Sequence, residues 1–293
     1  MGEQTITVPA PAKLNLFLEV LGKRADGYHE IETLMQTVDL ADSVEIRLTG
    51  RGIHLERQGI PVPCAPEEDL AARAARAFLE AAPHPSGIEI RVLKRIPPGA
   101  GLGGGSSDGA AVLRALNRLC GEPLDATALS EMAASLGSDV PFFLIGGTAI
   151  ARGRGERITP LDDIPLPRFL LALPHLHVST ASVYRNLRLT GATIAVQSAL
   201  WELRPGNKLG GGAAFHNRLE DSVFEVEPRL ARLKARLEEV ARRRFTVTGS
   251  GSGLFSVLAD EEDGGQVQQF LAGQFDGVLR IVLPARRSSL WSG

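Results

Sequence analysis

Residues Ile96 to Gly109 read IPPGAGLGGGSSDG, and this stretch follows a strand-like run and opens a helix-like one. Five of its glycines, Gly99, Gly101, Gly103, Gly104 and Gly105, allow positive φ and let backbone N–H groups approach a ligand unshielded by Cβ. Ser106, Ser107 and Asp108 are helix-capping residue types. Val112, Leu113, Leu116, Leu119 and Cys120 then recur at helical spacing, so a helix is expected to start here. Free N–H groups and the positive end of the helix dipole would face the loop, an arrangement that holds phosphate without a cationic side chain. Asp108 is expected to cap the helix or to reach Mg²⁺ rather than to meet phosphate directly. Taken alone, the stretch is also compatible with a purely structural turn.

Context decides between phosphate-binding folds. Gly99, Gly101 and Gly104 satisfy G-x-G-x-x-G, the dinucleotide fingerprint. Yet Ile88, Ile90 and Val92 alternate with Glu89, Arg91 and Leu93, whereas a central parallel strand is almost continuously apolar. The next segment, 125–136, has a helical pattern instead of the strand with a terminal acid that ribose binding requires. A Walker A loop fails as well, because no Lys-Ser or Lys-Thr follows the glycines.

The 293-residue chain, 44% hydrophobic, is long enough for a full core in one or two domains. Its net charge of -2 argues against a general nucleic-acid or membrane-surface binder, so anions must be handled locally. Cys64 and Cys120 are far apart and match no metal-ligand spacing. No apolar run reaches the ~20 residues that span a bilayer, the N-terminal residues lack an apolar export segment, and Ile6 occupies the Ser/Thr position of a myristoylation motif. A cytoplasmic protein is the expectation.

Along the chain, Leu14, Leu16, Leu18 and Val20 share one strand face and Lys13, Asn15, Phe17 and Glu19 the other, so Lys13 and Asn15 project together. An edge-strand lysine can also be only an anti-aggregation charge. A turn at Asp26-Gly27 leads to Tyr28-His29, then to strands over 31–38 and 43–48. A helix over 69–82 would bury Leu70, Ala74, Ala77, Phe78 and Ala81. Asp125 caps a further helix, stopped by Gly137. Asp139, between that stop and the apolar run 140–144, is placed either at the mouth of the core or in a turn bonded to nearby backbone. Residues 148–158 read as strand broken at Gly153 and Gly155. Pro160, Pro165 and Pro167 then mark a domain boundary near 159–168. Beyond it come a strand (169–173), helices (179–187, 194–203, 215–224 and 229–244), strands (245–248 and 254–259), a helix (266–271) and a strand (278–283). That is the split βαβ order of a ferredoxin-like half. The tail, 285–293, reads as frayed.

Five ordered motifs, Pro11-Ala12-Lys13-Leu14-Asn15-Leu16, Arg24-Ala25-Asp26-Gly27-Tyr28-His29, the glycine loop from Pro98 to Asp108, Gly137-Ser138-Asp139-Val140-Pro141-Phe142-Phe143 and Thr248-Gly249-Ser250-Gly251-Ser252, make the chain resemble the 4-diphosphocytidyl-2-C-methyl-D-erythritol kinase family of GHMP kinases. The resemblance implies a two-domain α+β GHMP kinase fold. A ribosomal-S5-like N-terminal domain would span 1–162, with a ferredoxin-like C-terminal domain over 163–293. ATP and a small-molecule substrate would meet in the cleft between them, and γ-phosphoryl transfer with Mg²⁺ would phosphorylate the 2-hydroxyl of the methylerythritol moiety.

By the same resemblance Asp139 is the catalytic base and Lys13 its partner. ATP falls to Lys94, Pro98, Gly99, Gly101, Leu102, Gly103, Gly104, Gly105, Ser106, Ser107 and Asp108. Tyr28 and Tyr184 would sandwich cytosine, while Asn15 and His29 supply polar contacts. Thr180, one helical turn before Tyr184, would line the same wall. The Mg²⁺ ligands stay unassigned, and the oligomeric state is monomer or homodimer. Asp69-Leu70 stands where the family usually has Asn-Leu near adenine, and Gly109 where Ala is usual. Residues 206–214, without a clear counterpart, are taken as a mobile loop. A homoserine- or mevalonate-type kinase would need the glycine loop but no aromatic slot. A non-catalytic nucleotide-sensing relative would leave Lys13 and Asp139 free to vary.

Overall fold

The computed structural model describes residues 5–50, 52–82, 87–189, 191–207, 213–258, 261–273 and 275–290, apart from the side chains of 261–263 and 289–290. Most of loop 206–214, at 208–212, therefore lies outside the described residues.

The first sheet grows from two long antiparallel strands, β1 (Thr5–Lys23) and β2 (His29–Thr49). β2 runs through 39–42 where a break between two short strands is expected: its pairing with β1 shifts register between Thr37 and Ala41 and resumes, and Asp39 N–H donates to Leu283 O across the gap. The other edge of β2 is divided. Its beginning pairs with β5 (Thr148–Gly153) and its end with β4 (Gly87–Lys94), while β3 (Ile53–Gly59) joins β4 in parallel and β6 (Arg157–Pro160) extends β5. Register shifts after Pro11, Asn15 and Val20 let the ribbon coil.

Helices α1 (Leu70–Ala81), α2 (Gly104–Leu119), α3 (Ala126–Leu136) and α4 (Val140–Ile145) pack around a core that includes Met35, Val44, Ile46, Phe78, Val112, Leu116, Phe142 and Phe143. Asp69 caps α1 by accepting from the Ala71 N–H at 3.0 Å, and Asp125 caps α3 by accepting from that of Ala128 at 2.8 Å. α1 buries Ala71, Ala72, Ala74, Ala75 and Phe78. Leu70 and Ala77 are half-buried and Ala81 is exposed, so the inner face is turned from the expected one by close packing of small side chains against α2.

β7 (Arg168–Pro174), β8 (Thr246–Val247), β9 (Leu254–Leu258) and β10 (Gly277–Val282) form a second, antiparallel sheet in the order β10-β7-β9-β8. Fourth, first, third, second is the ferredoxin-like arrangement. α5 (Thr180–Asn186), α6 (Val196–Glu202), α7 (Glu220–Val226) and α8 (Pro228–Ala241) lie between β7 and β8, and α9 (Glu261–Ala272) between β9 and β10.

Two expectations fail here. α7 begins at Glu220 instead of Phe215, since Phe215 takes φ +63° and the residues after it run beside β1. The described part of the tail, 285–290, is docked rather than frayed, and 291–293 lie outside the described residues. Ala285 N–H donates to Thr37 O at 2.8 Å, and the guanidinium of Arg287, the first residue of α10 (Arg287–Leu290), donates to Leu161 O at 3.1 Å.

The two sheets share a core. Every residue from Ala10 to Val20 is buried, so β1 is covered on both faces, unlike a strand with one wet side. Leu14, Leu16, Phe17, Leu34 and Val38 of the first sheet pack in one cluster with Phe169, Leu171, Phe255 and Val282 of the second. Within it Phe169, Phe215 and Phe255 meet edge-to-face at 5.7–6.3 Å. Phe255→Ala should therefore lower unfolding stability by about 3–5 kcal/mol, measured by urea denaturation, and because the cluster joins the sheets both should still unfold in one transition.

Candidate active site

The glycine loop follows β4 and enters α2. Gly99, Gly101 and Gly103 hold φ near +73°, +72° and +73°. α2 starts at Gly104 with Gly103 in the cap position, so the expected capping side chains, Ser106, Ser107 and Asp108, lie within the first turn and a half. A left-handed glycine supplies the sharp entry, and no side chain takes the first N–H groups of the helix. They remain available for an anion.

A second loop, 248–253, between β8 and β9, lies directly against this one. Ser252 N–H donates to Gly99 O and Gly253 N–H to Ala100 O, each at 3.1 Å. A Cβ on Gly101 would stand 2.1 Å from Thr248 O, and one on Gly253 2.5 Å from Ala100 O. Backbone meets backbone here, which only glycine permits.

β1 approaches the same point: Lys13 N–H donates to Leu102 O at 3.0 Å. The Lys13 side chain is 5% exposed, which excludes an anti-aggregation role on an edge. Its Nζ bonds Asn15 Oδ1 and lies 3.5 Å from Asp139 Oδ2. Asn15 is fixed in turn, its Nδ2 donating to Thr33 Oγ1 at 2.9 Å and its N–H to Thr248 Oγ1 at 3.0 Å. Asp139 precedes α4 but its carboxylate does not cap that helix, so the turn-aspartate alternative gives way and the carboxylate faces Lys13.

A cavity of about 910 Å³ opens from this pair and is lined by Asn15, Tyr28, His29, Asp139, Thr180 and Tyr184. Tyr184 and His29 rings lie 5.1 Å apart, inclined by 30°. Burial pushes the Tyr184 phenol up, helped by the Asp139 charge, and pushes the His29 imidazole down, helped by Lys23, so both rings stay neutral at pH 7. Tyr28 lines the same cavity, exposed, with the Arg154 guanidinium 4.9 Å over its ring. Thr180 shares a 2.7 Å hydrogen bond with Ser250, tying α5 to the second glycine loop. A smaller cavity of about 250 Å³, lined by Asp69, Leu70, Ile96, Pro98 and the glycines, shares Gly99, Gly101, Gly103 and Ser106 with the first.

Lys94 and Asp108 line this smaller cavity as part of an ion cluster. The Lys94 ammonium is engaged by both Asp42 and Asp108, with Asp42 Oδ1 also accepting from Ile96 N–H at 2.8 Å. Asp108 thus neither caps α2 nor stands free. Burial alone would push the ammonium down, but Asp108 and Asp42 more than offset it and hold it above its usual range. Burial pushes the Asp108 carboxyl up to about 8, Lys94 pulling it back and Asp42 adding to the rise. Asp69 is engaged too, by Arg57 at 3.0 Å besides its cap.

Asp42, Arg154 and Thr248 therefore lie at the site without having been singled out as site residues from sequence. Only Thr248 carried a signal, at the head of a glycine-rich turn. The others are an acid and a cation in unremarkable local sequence.

Residues 69–147 match the GHMP kinases N terminal domain. A 4-diphosphocytidyl-2-C-methyl-D-erythritol kinase of Solibacter usitatus is 40% identical over 294 residues, covering 96% of this chain and 90% of the relative. The enzyme of that name from Pelotomaculum thermopropionicum is 42% identical over 265 residues, 89% of this chain and 92% of the relative. A crystal structure of 4-(cytidine 5'-diphospho)-2C-methyl-D-erythritol kinase superposes with a TM-score of 0.80 at 37% identity, covering 96% of this chain and 100% of the other. Homoserine kinase from Cytophaga hutchinsonii, at 20% identity and a TM-score of 0.68, shares the fold.

The ion cluster gives stability a pH dependence of definite sign. Asp108 keeps its proton to about pH 8 when folded but only to about its ordinary 3.8 when unfolded. The folded chain binds the extra proton, so this contribution is complete below pH 3.8 and is lost as pH climbs through 8. Asp108→Asn should melt close to the parent below about pH 4 and progressively above it as pH rises from there to about 8, by differential scanning calorimetry.

Proposed function

The chain belongs to the 4-diphosphocytidyl-2-C-methyl-D-erythritol kinases, a GHMP kinase family, and on that basis we propose that it transfers the γ-phosphoryl group of ATP to the 2-hydroxyl of 4-diphosphocytidyl-2-C-methyl-D-erythritol. Residues 1–162 would bind nucleotide and carry the chemistry, and 163–293 would complete the cleft. One observation carries the reading: the Lys13–Asp139 pair stands where the cavity with the aromatic wall meets the glycine loop, whose residues Gly99, Gly101, Gly103 and Ser106 also line the smaller cavity.

In this reading the polyphosphate of ATP lies along the loop from Gly99 to Ser107, its charge met by backbone N–H groups and the α2 dipole. Asp139 accepts the proton of the substrate hydroxyl as the oxygen–phosphorus bond forms and the bond to ADP breaks. Lys13 offsets charge building on the entering oxygen and on the phosphoryl group. Held by Asn15 and buried, its ammonium needs little reorganisation at that moment.

Tyr184, His29 and Tyr28 give the cytosine ring a wall to stack against, and binding energy gained there is remote from the reacting hydroxyl. Among the described residues no three of His, Cys, Asp and Glu are grouped to hold a metal, but beside phosphate oxygens and water Mg²⁺ needs only one or two protein oxygens. Lys94 engages Asp108 Oδ2, whereas Asp108 Oδ1 and Ser107 Oγ are buried in the first turns of α2 with no hydrogen-bond partner, so these two residues would hold the ion implied by the family.

Incubated with Mg-ATP and, separately, 4-diphosphocytidyl-2-C-methyl-D-erythritol, homoserine and mevalonate, the protein should give a new phosphomonoester signal in ³¹P NMR with the cytidylated substrate. No signal there, or one with homoserine or mevalonate instead, would overturn the reading. Asp139→Asn should retain ADP binding and lose about 10²-fold or more in kcat. Tyr184→Ala should chiefly raise KM for the cytidylated substrate.

A further inference from the structure

Residues 216–218, which the sequence places in a helix, form a strap along β1 instead. Leu18 N–H donates to His216 O and Arg218 N–H to Leu18 O, both at 2.8 Å. The Arg218 guanidinium grips the buried Glu19 carboxylate at 2.6 and 3.0 Å and fixes the strap to the strand.

Asn217, at the centre of the strap, is buried and fully bonded. Its Nδ2 donates to Val247 O at 2.7 Å and Gly249 O at 2.8 Å, and its Oδ1 accepts from Leu219 N–H at 2.9 Å. Two carbonyls on one side and an N–H on the other leave the amide a single orientation.

Those two carbonyls flank Thr248, whose hydroxyl accepts the Asn15 N–H. Gly249 lies so close to the reacting pair that a Cβ there would be 3.3 Å from Lys13 Nζ and 3.2 Å from Asn15 Oδ1. Contacts therefore run without a gap from the strap to the ammonium: Asn217 to the backbone of 247–249, that backbone to Asn15, and Asn15 to Lys13.

We infer that Asn217 is a positioning residue for phosphoryl transfer, setting the 247–249 backbone that holds Asn15 and, through it, the Lys13 ammonium opposite Asp139. The inference rests on the kinase reading above. Asn217 touches neither the nucleotide loop nor the Lys13–Asp139 pair, and it acts through the backbone it holds. An ammonium displaced by a fraction of its bond length no longer lies where the phosphoryl charge develops, and errors of that kind cost rate more than binding.

The test is single-turnover transfer to the cytidylated substrate with enzyme in excess, followed by rapid quench. Asn217→Ala should lower the rate constant roughly ten- to a hundredfold, while the amplitude, which counts folded sites, stays near the wild-type value. Thr248→Val removes the next bond in the series and should slow the step similarly, with the double variant no slower than the worse single one.

Asn117→Ala serves as comparator, because Asn117 braces Leu124 through equivalent bonds of 2.9 and 3.0 Å near the other end of α2. It should lower the melting temperature and leave the rate constant unchanged. The inference is overturned if Asn217→Ala reacts at the wild-type rate, if only its amplitude falls, if its effect and that of Thr248→Val multiply, or if Asn117→Ala slows the step equally. Should Asn217→Ala fail to fold, an unchanged rate in Thr248→Val overturns it alone. Absence of transfer by the wild-type protein sinks the kinase reading itself, a separate outcome.

Discussion

Two glycine loops from different sheets touch backbone to backbone, and the site depends on that contact. The loop after β4 offers Gly99 O and Ala100 O, and the loop before β9 answers with the N–H groups of Ser252 and Gly253. Side chains on Gly101 or Gly253 would overlap carbonyl oxygens across the seam. Because the same contact joins the sheets and shapes the entry to α2, the glycine-lined start of that helix cannot be built from the first sheet alone. The shared apolar cluster around Phe169 and Phe255 holds the halves at the distance this contact requires.

Charge is arranged around that seam economically. A chain with net charge -2 does not attract phosphate by its overall field. It presents the start of a helix and two lysines with distinct surroundings. Lys13 is set against a single carboxylate that it helps keep in place, while Lys94 is enclosed by two acids and anchors the end of β4 to the first turns of α2. Burial and the neighbouring Asp42 push the Asp108 carboxyl up while Lys94 pulls it back, so a residue of a helix-capping type belongs here to a buried ion cluster. Opposite the seam, His29 and Tyr184 form a wall kept uncharged by burial.

Much of this was legible wherever the signal is local. The Asp125 cap and Gly137 stop of α3, the helix after Ser179 and the order of strands and helices along the second half all follow from short-range preferences and alternation. The reading missed what distant partners decide. β2 has one length because β1 pairs along it. Phe215 to Arg218 leave helical geometry because β1 offers Leu18 as a partner about 200 residues earlier. Asp108 looked like a cap because its true partner, Lys94, lies on a strand that a helix-start pattern does not include. Lys13 and Asp139, far apart in sequence and linked there only by resemblance to a family, are brought to 3.5 Å by the fold.

That the second sheet's glycine loop shapes the nucleotide site we propose is tested most directly at Gly253. Its φ is not in the positive range and it does not line either cavity, so Gly253→Ala adds only a methyl group pressed against Ala100 O. Isothermal titration of ADP should show affinity weakened about tenfold or more, a loss of at least ~1.4 kcal/mol, in a protein that still unfolds cooperatively. ADP affinity equal to that of the parent protein would contradict the account.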